Sequence, residues 1–103
     1  MKTHWKRKAL AKYKSITLWY KKKMGISAAT KFMQGIDDVV ILLAQNPNMG
    51  KEEPELIACK KPYRSFVEHR NHKIIYYVEK DTIYIADIWP TSQNPSDINK
   101  RLR

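Results

Sequence analysis

The sequence predicts an α+β domain in which a helical hairpin lies across one face of an antiparallel sheet, in the order strand, helix, helix, three strands. Three observations carry this. Apolar residues recur at three- and four-residue spacing through the first 43 positions. A crossing rich in proline and acids follows at 46–55, and beyond it the chain turns to β-branched and aromatic runs separated by short polar turns. A length of 103 residues suits one modest core and leaves no room for a second, so residues 1–103 form a single domain with 95–103 as a basic tail.

Residues 3–6 offer a short edge strand. Over 8–24, Ala9, Leu10, Tyr13, Ile16, Thr17, Tyr20 and Met24 make one helical stripe, with Lys8, Lys12, Lys14, Lys21 and Lys22 on the opposite face. Gly25 stands where a left-handed cap would end this helix, and Ser27 offers an N-cap for the next. The second stripe is Ala28, Phe32, Ile36, Val39, Val40 and Leu43, and Asn46-Pro47 stops it, because a residue before proline disfavours helix. The short Gly25-Ile26 link makes the two helices antiparallel. Between Asn46 and Glu55, two prolines, a glycine and three acids predict a loop. Segments 63–69, 73–79 and 82–89 are the strands of a meander, with Arg70-Asn71 and Lys80-Asp81 as hairpin turns. Ile74, Ile75, Tyr76, Tyr77 and Val78 are all large, so both faces of the sheet are expected to be at least partly covered.

Twenty Lys and Arg against ten Asp and Glu leave a formal charge of +10, and the first 36 residues hold ten basic side chains and no acidic one. Such a surface suits polyanions: nucleic acid, a ribosome, an anionic membrane face or an acidic protein segment. One cysteine cannot form an internal disulfide, and no secretory-type start precedes the first charged run, so a reducing cytoplasm is expected. The longest apolar run, 39–44, falls far short of the ~20 residues that span a bilayer, and no membrane role is expected.

Three histidines and one cysteine at scattered positions give no metal set, and no glycine-rich phosphate loop occurs, so no cofactor is expected. Cys59 has no neighbouring base and suits a small buried residue. The remaining candidates are cations among tyrosines on and between the strands: Lys60, Lys61, Arg64, Arg70 and Lys73, with Tyr63, Tyr76, Tyr77 and Tyr84. Arg and Lys hold phosphates, aromatic faces stack on unpaired bases, and a cation stabilises the charged transition state of phosphodiester cleavage. Each has a structural reading too. Tyrosines at strand spacing fill cores, Trp89 suits a core or edge anchor, and Arg64 and Lys73 can pair across strands with Glu68, Glu79 or Asp87, pairs that contribute ~0–1 kcal/mol at a surface.

Five segments in order, His4-Trp5-Lys6-Arg7-Lys8-Ala9-Leu10, Tyr63-Arg64-Ser65, His72-Lys73-Ile74-Ile75-Tyr76, Asp81-Thr82-Ile83-Tyr84-Ile85 and Trp89-Pro90-Thr91-Ser92-Gln93-Asn94-Pro95, resemble the RelE/ParE-type toxins of type II toxin–antitoxin systems, which include ParE-like plasmid stabilisation proteins. The resemblance implies a β-α-α-β-β-β core and a cognate antitoxin with an acidic segment. It also implies one of two targets: RelE-like members cut messenger RNA on the ribosome, and ParE-like members poison DNA gyrase. For the ribonuclease branch it points to Arg64 and Lys73 as catalytic, and for target or RNA binding to Lys60, Lys61, Arg64, Arg70, Lys73 and Gln93. That branch usually carries a further Arg, His or Tyr near the end of the last strand, where this chain has Thr91, Ser92 and Gln93. Acid–base cleavage is therefore under-equipped. The expectation is a gyrase-directed toxin, with a messenger RNA endoribonuclease, or a degenerate toxin kept as a binding module, as alternatives.

Overall fold

The computed structural model describes residues 1–53, 61–68 and 72–91. Two helices, α1 (Arg7–Met24) and α2 (Ile26–Gln45), pack on a five-stranded sheet made of β1 (Lys2–Trp5), β2 (Lys51–Glu52), β3 (Arg64–Glu68), β4 (His72–Glu79) and β5 (Thr82–Pro90), in the spatial order β1-β5-β4-β3-β2. The fold is the expected α+β hairpin on a sheet, with two additions.

The first is that β1 pairs parallel to β5, from Lys2 against Thr82 to Trp5 against Ile85, which makes the sheet mixed. A parallel neighbour needs a long crossover, and here everything between the first strand and the last supplies it. The second is β2, two charged residues inside the predicted loop that pair with Ser65 and Arg64. So short and polar an edge strand has no apolar pattern to announce it.

Gly25 alone joins the helices. Its φ of 97° and ψ of 171° lie outside the region open to side-chain-bearing residues, and its N–H reaches the carbonyls of Tyr20 and Lys21 at 3.0 and 3.2 Å. The expected N-cap at Ser27 is not formed: α2 already begins at Ile26, Gly25 occupies the cap position, and no side chain caps it. At the other end Asn46 takes the cap position and its N–H bonds to Leu42 O at 2.9 Å.

The main core lies between helices and sheet. Ala9, Phe32, Ile36, Val40 and Leu43 face Ile74, Tyr76, Ile83, Ile85 and Ile88, and burying each large side chain among them contributes about 1.5–3 kcal/mol. Leu10 and Met24, assigned to the buried stripe of α1, are instead 41% and 64% exposed. The stripe narrows to Ala9, Tyr13, Ile16 and Tyr20, the side chains of α1 that reach the core. On the far face of the sheet a second cluster gathers Ile75, Tyr77, Ala86 and Trp89, with Tyr63 and Tyr84 against it, so both faces are covered. Ile75 pairs with Asp87 and Tyr76 with Ile85, leaving Ala86 as an extra residue in β5. This bulge lets Ile85 and Ile88, three apart, both face the helices. The β4–β5 turn is Lys80-Asp81, with Lys80 at φ 54°. The Arg70-Asn71 turn and Cys59 lie outside the described residues.

Candidate functional site

The described cations among the candidates occupy two faces of the sheet. Arg64 stands opposite Tyr76 in the β3–β4 register, which places it on the helix side. Its Nη1 donates to the carbonyl of Gly50 at 2.7 Å. The Tyr76 hydroxyl accepts the Gly50 N–H at 2.9 Å and donates to the carbonyl of Pro47 at 2.7 Å. Arg64 and Tyr76 thus pin the turn after α2 to the sheet. Burial pushes the Tyr76 phenol above its ordinary pKa, against the opposing effects of the Gly50 N–H and the Arg64 charge.

Lys73 lies opposite Val67 and Trp89, on the face away from the helices. Its Nζ is 3.2 Å from Oε2 of Glu53, a carboxylate 2% exposed at the end of β2. Lys61 shares that outer face, paired with Glu79 and lying 5.3 Å above the Tyr77 ring. The bond to Glu79 raises the Lys61 pKa, with desolvation working against it and the Glu79 charge adding to it. Neither Glu68 nor Asp87 serves the expected cross-strand role: Lys73 takes Glu53, Arg64 takes a backbone carbonyl, and Asp87 accepts the N–H of Ile88 at 2.8 Å. Lys60, Arg70 and Gln93 lie outside the described residues, as does Ser92.

A row of rings crosses the outer face. Tyr84 stacks on Tyr77 with centroids 5.0 Å apart and planes at 13°, His4 meets Tyr84 edge-on at 5.5 Å, and Tyr63 meets Tyr77 edge-on at 5.5 Å. Where this row reaches the start of α1, a cleft of about 310 Å³ opens, walled by Lys6, Arg7, Lys8 and Lys61 with Tyr63 and Tyr77. Sequence reasoning placed Lys61 and the tyrosines together but missed the first three cations, because only the parallel docking of β1 beside β5 carries them to the sheet's outer face.

On the helix side, His72 is buried against Phe32 at 4.9 Å and Tyr20 at 6.0 Å, edge-on to both, with Nδ1 3.9 Å from Oε2 of Glu68. Burial lowers its pKa. It lines a cleft of about 490 Å³ with Lys31, Asp38 and Glu68. The outside of the helical hairpin is a different kind of surface: Leu18, Trp19, Met24, Ile26 and Ile41 are each more than half exposed. Sequence reasoning singled out none of these as exposed and put Met24 in the buried stripe; together they are apolar area that a partner can cover. Among the described residues no group of three metal-ligating side chains converges, and no helix is long and apolar enough to cross a membrane.

Comparison with known proteins sets this geometry in a family. A comparison with curated protein sequences gives no match. A chain of the solved structure described as "Chromosomal ParDE TA system from P. aeruginosa" superposes with a TM-score of 0.72 at 28% identity, over 89% of this chain and 97% of that one. The family model for the ParE toxin of type II toxin–antitoxin system, parDE, matches residues 4–95. With nearly its whole length matched and its two helices on a mixed sheet like those of that structure, the chain belongs to the ParE toxin family.

Proposed function

We propose that this toxin arrests growth by binding and poisoning DNA gyrase, and that a cognate antitoxin neutralises it by covering the exposed apolar side of the helical hairpin and screening its cations. The family membership supports a toxin with an antitoxin partner. The choice of target rests on one observation above the others: the two cations that a ribonuclease reading needs are bound into the fold, Arg64 on the Gly50 carbonyl and Lys73 on the buried Glu53. Cleavage of a phosphodiester needs a positioned acid–base pair and a cation free to follow the developing charge. Arg64 and Lys73 stand on opposite faces of the sheet, and the only buried histidine among the described residues is packed between Phe32 and Tyr20. A toxin that works by occupying a surface needs none of this chemistry.

The antitoxin reading follows from the same surfaces. An acidic, partly disordered segment that folds on binding gains from the charge of +10 at long range and from the apolar hairpin face at contact. Induced expression in a bacterial host, with and without the neighbouring small gene, tests both. The expected result is growth arrest with gyrase-dependent DNA breaks, inhibition of supercoiling by the purified toxin, and relief by the neighbouring gene product. New messenger RNA 5′ ends on ribosomes, lost in Arg64→Ala and Lys73→Ala variants that remain folded, would replace the gyrase reading with ribonuclease action.

A further inference from the structure

We propose that the tip of the helical hairpin is a docking surface for an anionic lipid bilayer, on which the toxin rests without spanning it. Five large apolar side chains are more than half exposed among the described residues. Four of them, Leu18, Trp19, Met24 and Ile26, lie within about two helical turns of Gly25, and Met24 and Ile26 are the most exposed of all. The same stretch holds Lys21, Lys22 and Lys23, the basic residues of the last turn of α1, all exposed. Leu18 has Lys21 and Lys22 three and four positions on, and Trp19 has Lys22 and Lys23, so each ring or branch is a surface neighbour of two lysines. The first acid in the sequence is Asp37, about 18 Å along α2 from Gly25. The lysines need not be unpaired for this role: an ion pair at an exposed side chain is worth little and yields to a surface dense in phosphates.

Shape and charge select the occupant. The tip protrudes: neither of the two clefts described above is lined by Leu18, Trp19, Met24 or Ile26. A second copy of the chain would bring its own Lys21–Lys23 and a net charge of +10 against the first. An antitoxin segment lying along the hairpin as far as Ile41 leaves the concentration of apolar area at the tip without a reason. An anionic bilayer accepts both parts, headgroup phosphates taking the lysines and acyl chains the apolar side chains. Interfacial segments sink their apolar residues about 5–10 Å. Leu18 stands about 10 Å up the helix from Gly25, so a hairpin leaning towards α1 brings all four side chains to that depth, with the long lysine stems reaching back to the phosphates. A tryptophan suits the headgroup level, and Trp19 meets Tyr20 edge-on at 5.2 Å, which stacks in turn on the buried Phe32, so the docking residue is tied to the core. No helix among the described residues can cross a bilayer, and the expectation of no membrane role rested on that spanning requirement, which docking on one leaflet does not share. The inference goes beyond the gyrase reading and does not require it. It shares side chains with the face given to the antitoxin, so an antitoxin seated there excludes the bilayer.

The test is co-sedimentation of the full chain, purified free of antitoxin, with vesicles of phosphatidylcholine alone and of phosphatidylcholine and phosphatidylglycerol in equal parts. The expected result is binding at least about tenfold tighter to the anionic vesicles, weakening with salt. Each lysine at such a surface is worth about fivefold in affinity, so Lys21→Gln/Lys22→Gln/Lys23→Gln is expected to lower partition about a hundredfold. Lys2→Gln/Lys6→Gln/Lys51→Gln removes equal charge away from the tip and is expected to lower it less than about tenfold. Trp19→Ser/Ile26→Ser leaves the charge untouched and is expected to lose at least about tenfold on the anionic vesicles. Acyl chains brominated near the headgroup should quench the intrinsic fluorescence, and Trp19→Phe should remove that quenching. The substituted side chains are all exposed, and unfolding midpoints verify that each variant is folded. Equal losses in the two lysine variants reduce the binding to net charge and overturn the proposal. So do binding indifferent to Trp19→Ser/Ile26→Ser, quenching that persists in Trp19→Phe, and absence of binding to the anionic vesicles. Self-association of the chain that Trp19→Ser/Ile26→Ser abolishes, with no vesicle binding, assigns the tip to a second copy instead. The vesicles hold neither gyrase nor antitoxin, so the outcome stands apart from those of the growth and supercoiling experiments.

Discussion

Tyr76 shows how one hydroxyl substitutes for secondary structure. The turn after α2 has no regular partner for the Gly50 N–H or the Pro47 carbonyl, and the Tyr76 oxygen serves both at 2.9 and 2.7 Å, with Arg64 taking the Gly50 carbonyl. Tyr76→Phe keeps the ring in the core but strands two backbone groups, and the cost of such groups is about 1–3 kcal/mol. A fall in the denaturant midpoint of that size, with unchanged m-value, is the expected result. Gly50→Ala should cost more, since its Cβ would stand 2.7 Å from Cε1 of Tyr76 and 2.8 Å from the Ser65 carbonyl, the latter being backbone that has little freedom to move. If Tyr76→Phe is neutral while Gly50→Ala is severe, the glycine is there for space and the hydroxyl is incidental. At this scale the sequence told part of the story. Tyr76 and Trp89 were legible as core from their strand spacing, and both are buried. The partners of Arg64 and Lys73 were not. Gly50 and Glu53 sit in a segment whose composition predicts only a loop, and it is the two-residue strand between them that lays it against β3.

The helical hairpin was the most legible element, because its apolar spacing, Gly25 and Asn46-Pro47 each act locally. What periodicity could not supply was the width of the buried stripe or the parallel pairing of β1, both of which depend on how the hairpin sits on the sheet. Two predictions belong here. Gly25 carries the whole reversal at φ 97° and ψ 171°, and a Cβ there meets nothing within 4 Å. Gly25→Ala is therefore a test of backbone strain without steric clash, expected to cost about 1–3 kcal/mol. A loss below about 0.5 kcal/mol, the size of an ordinary surface change, would mean that the hairpin relaxes into another turn. The second concerns pH. His72 joins the helices to β4 through Phe32 and Tyr20, and burial lowers its pKa below the ordinary value of 6.5. The unfolded chain then binds the proton more readily than the folded one, so stability is fully present above pH 6.5 and is lost as pH falls through the folded value. Tyr13 acts at the other extreme. Burial, the Asp37 charge and its hydrogen bond to Asp37 push its pKa from 10.0 up to about 12, so its contribution is present below pH 10 and fades towards pH 12. Thermal unfolding between pH 7 and 5 should show a decline that His72→Phe abolishes. An identical decline in the variant would assign it to other groups.

At the level of the whole molecule, charge and exposed apolar surface contribute to recognition at different ranges. The sequence revealed the charge in full, through ten basic residues and no acid in its first 36 positions. It did not reveal that these cations divide between the outer side of α1 and a cleft shared with Lys61, since that follows from β1 lying beside β5. Leu18 and Trp19 on α1 and Ile26 and Ile41 on α2 add exposed apolar area to the same hairpin. Long-range charge speeds encounter and is screened by salt, with a Debye length of about 10 Å at 0.1 M, whereas buried apolar area holds a complex together once formed. Antitoxin binding should therefore respond to two perturbations in two different rate constants. Raising salt from low to near-molar concentration is expected to slow association by at least about tenfold with little change in dissociation. Trp19→Ser or Ile26→Ser is expected to speed dissociation by about tenfold or more while leaving association and its salt dependence intact. Stopped-flow association and competition-driven dissociation separate the two. If salt alters dissociation as strongly as association, the antitoxin makes its main contacts on the cations themselves, and the apolar face of the hairpin belongs to the toxin's target instead.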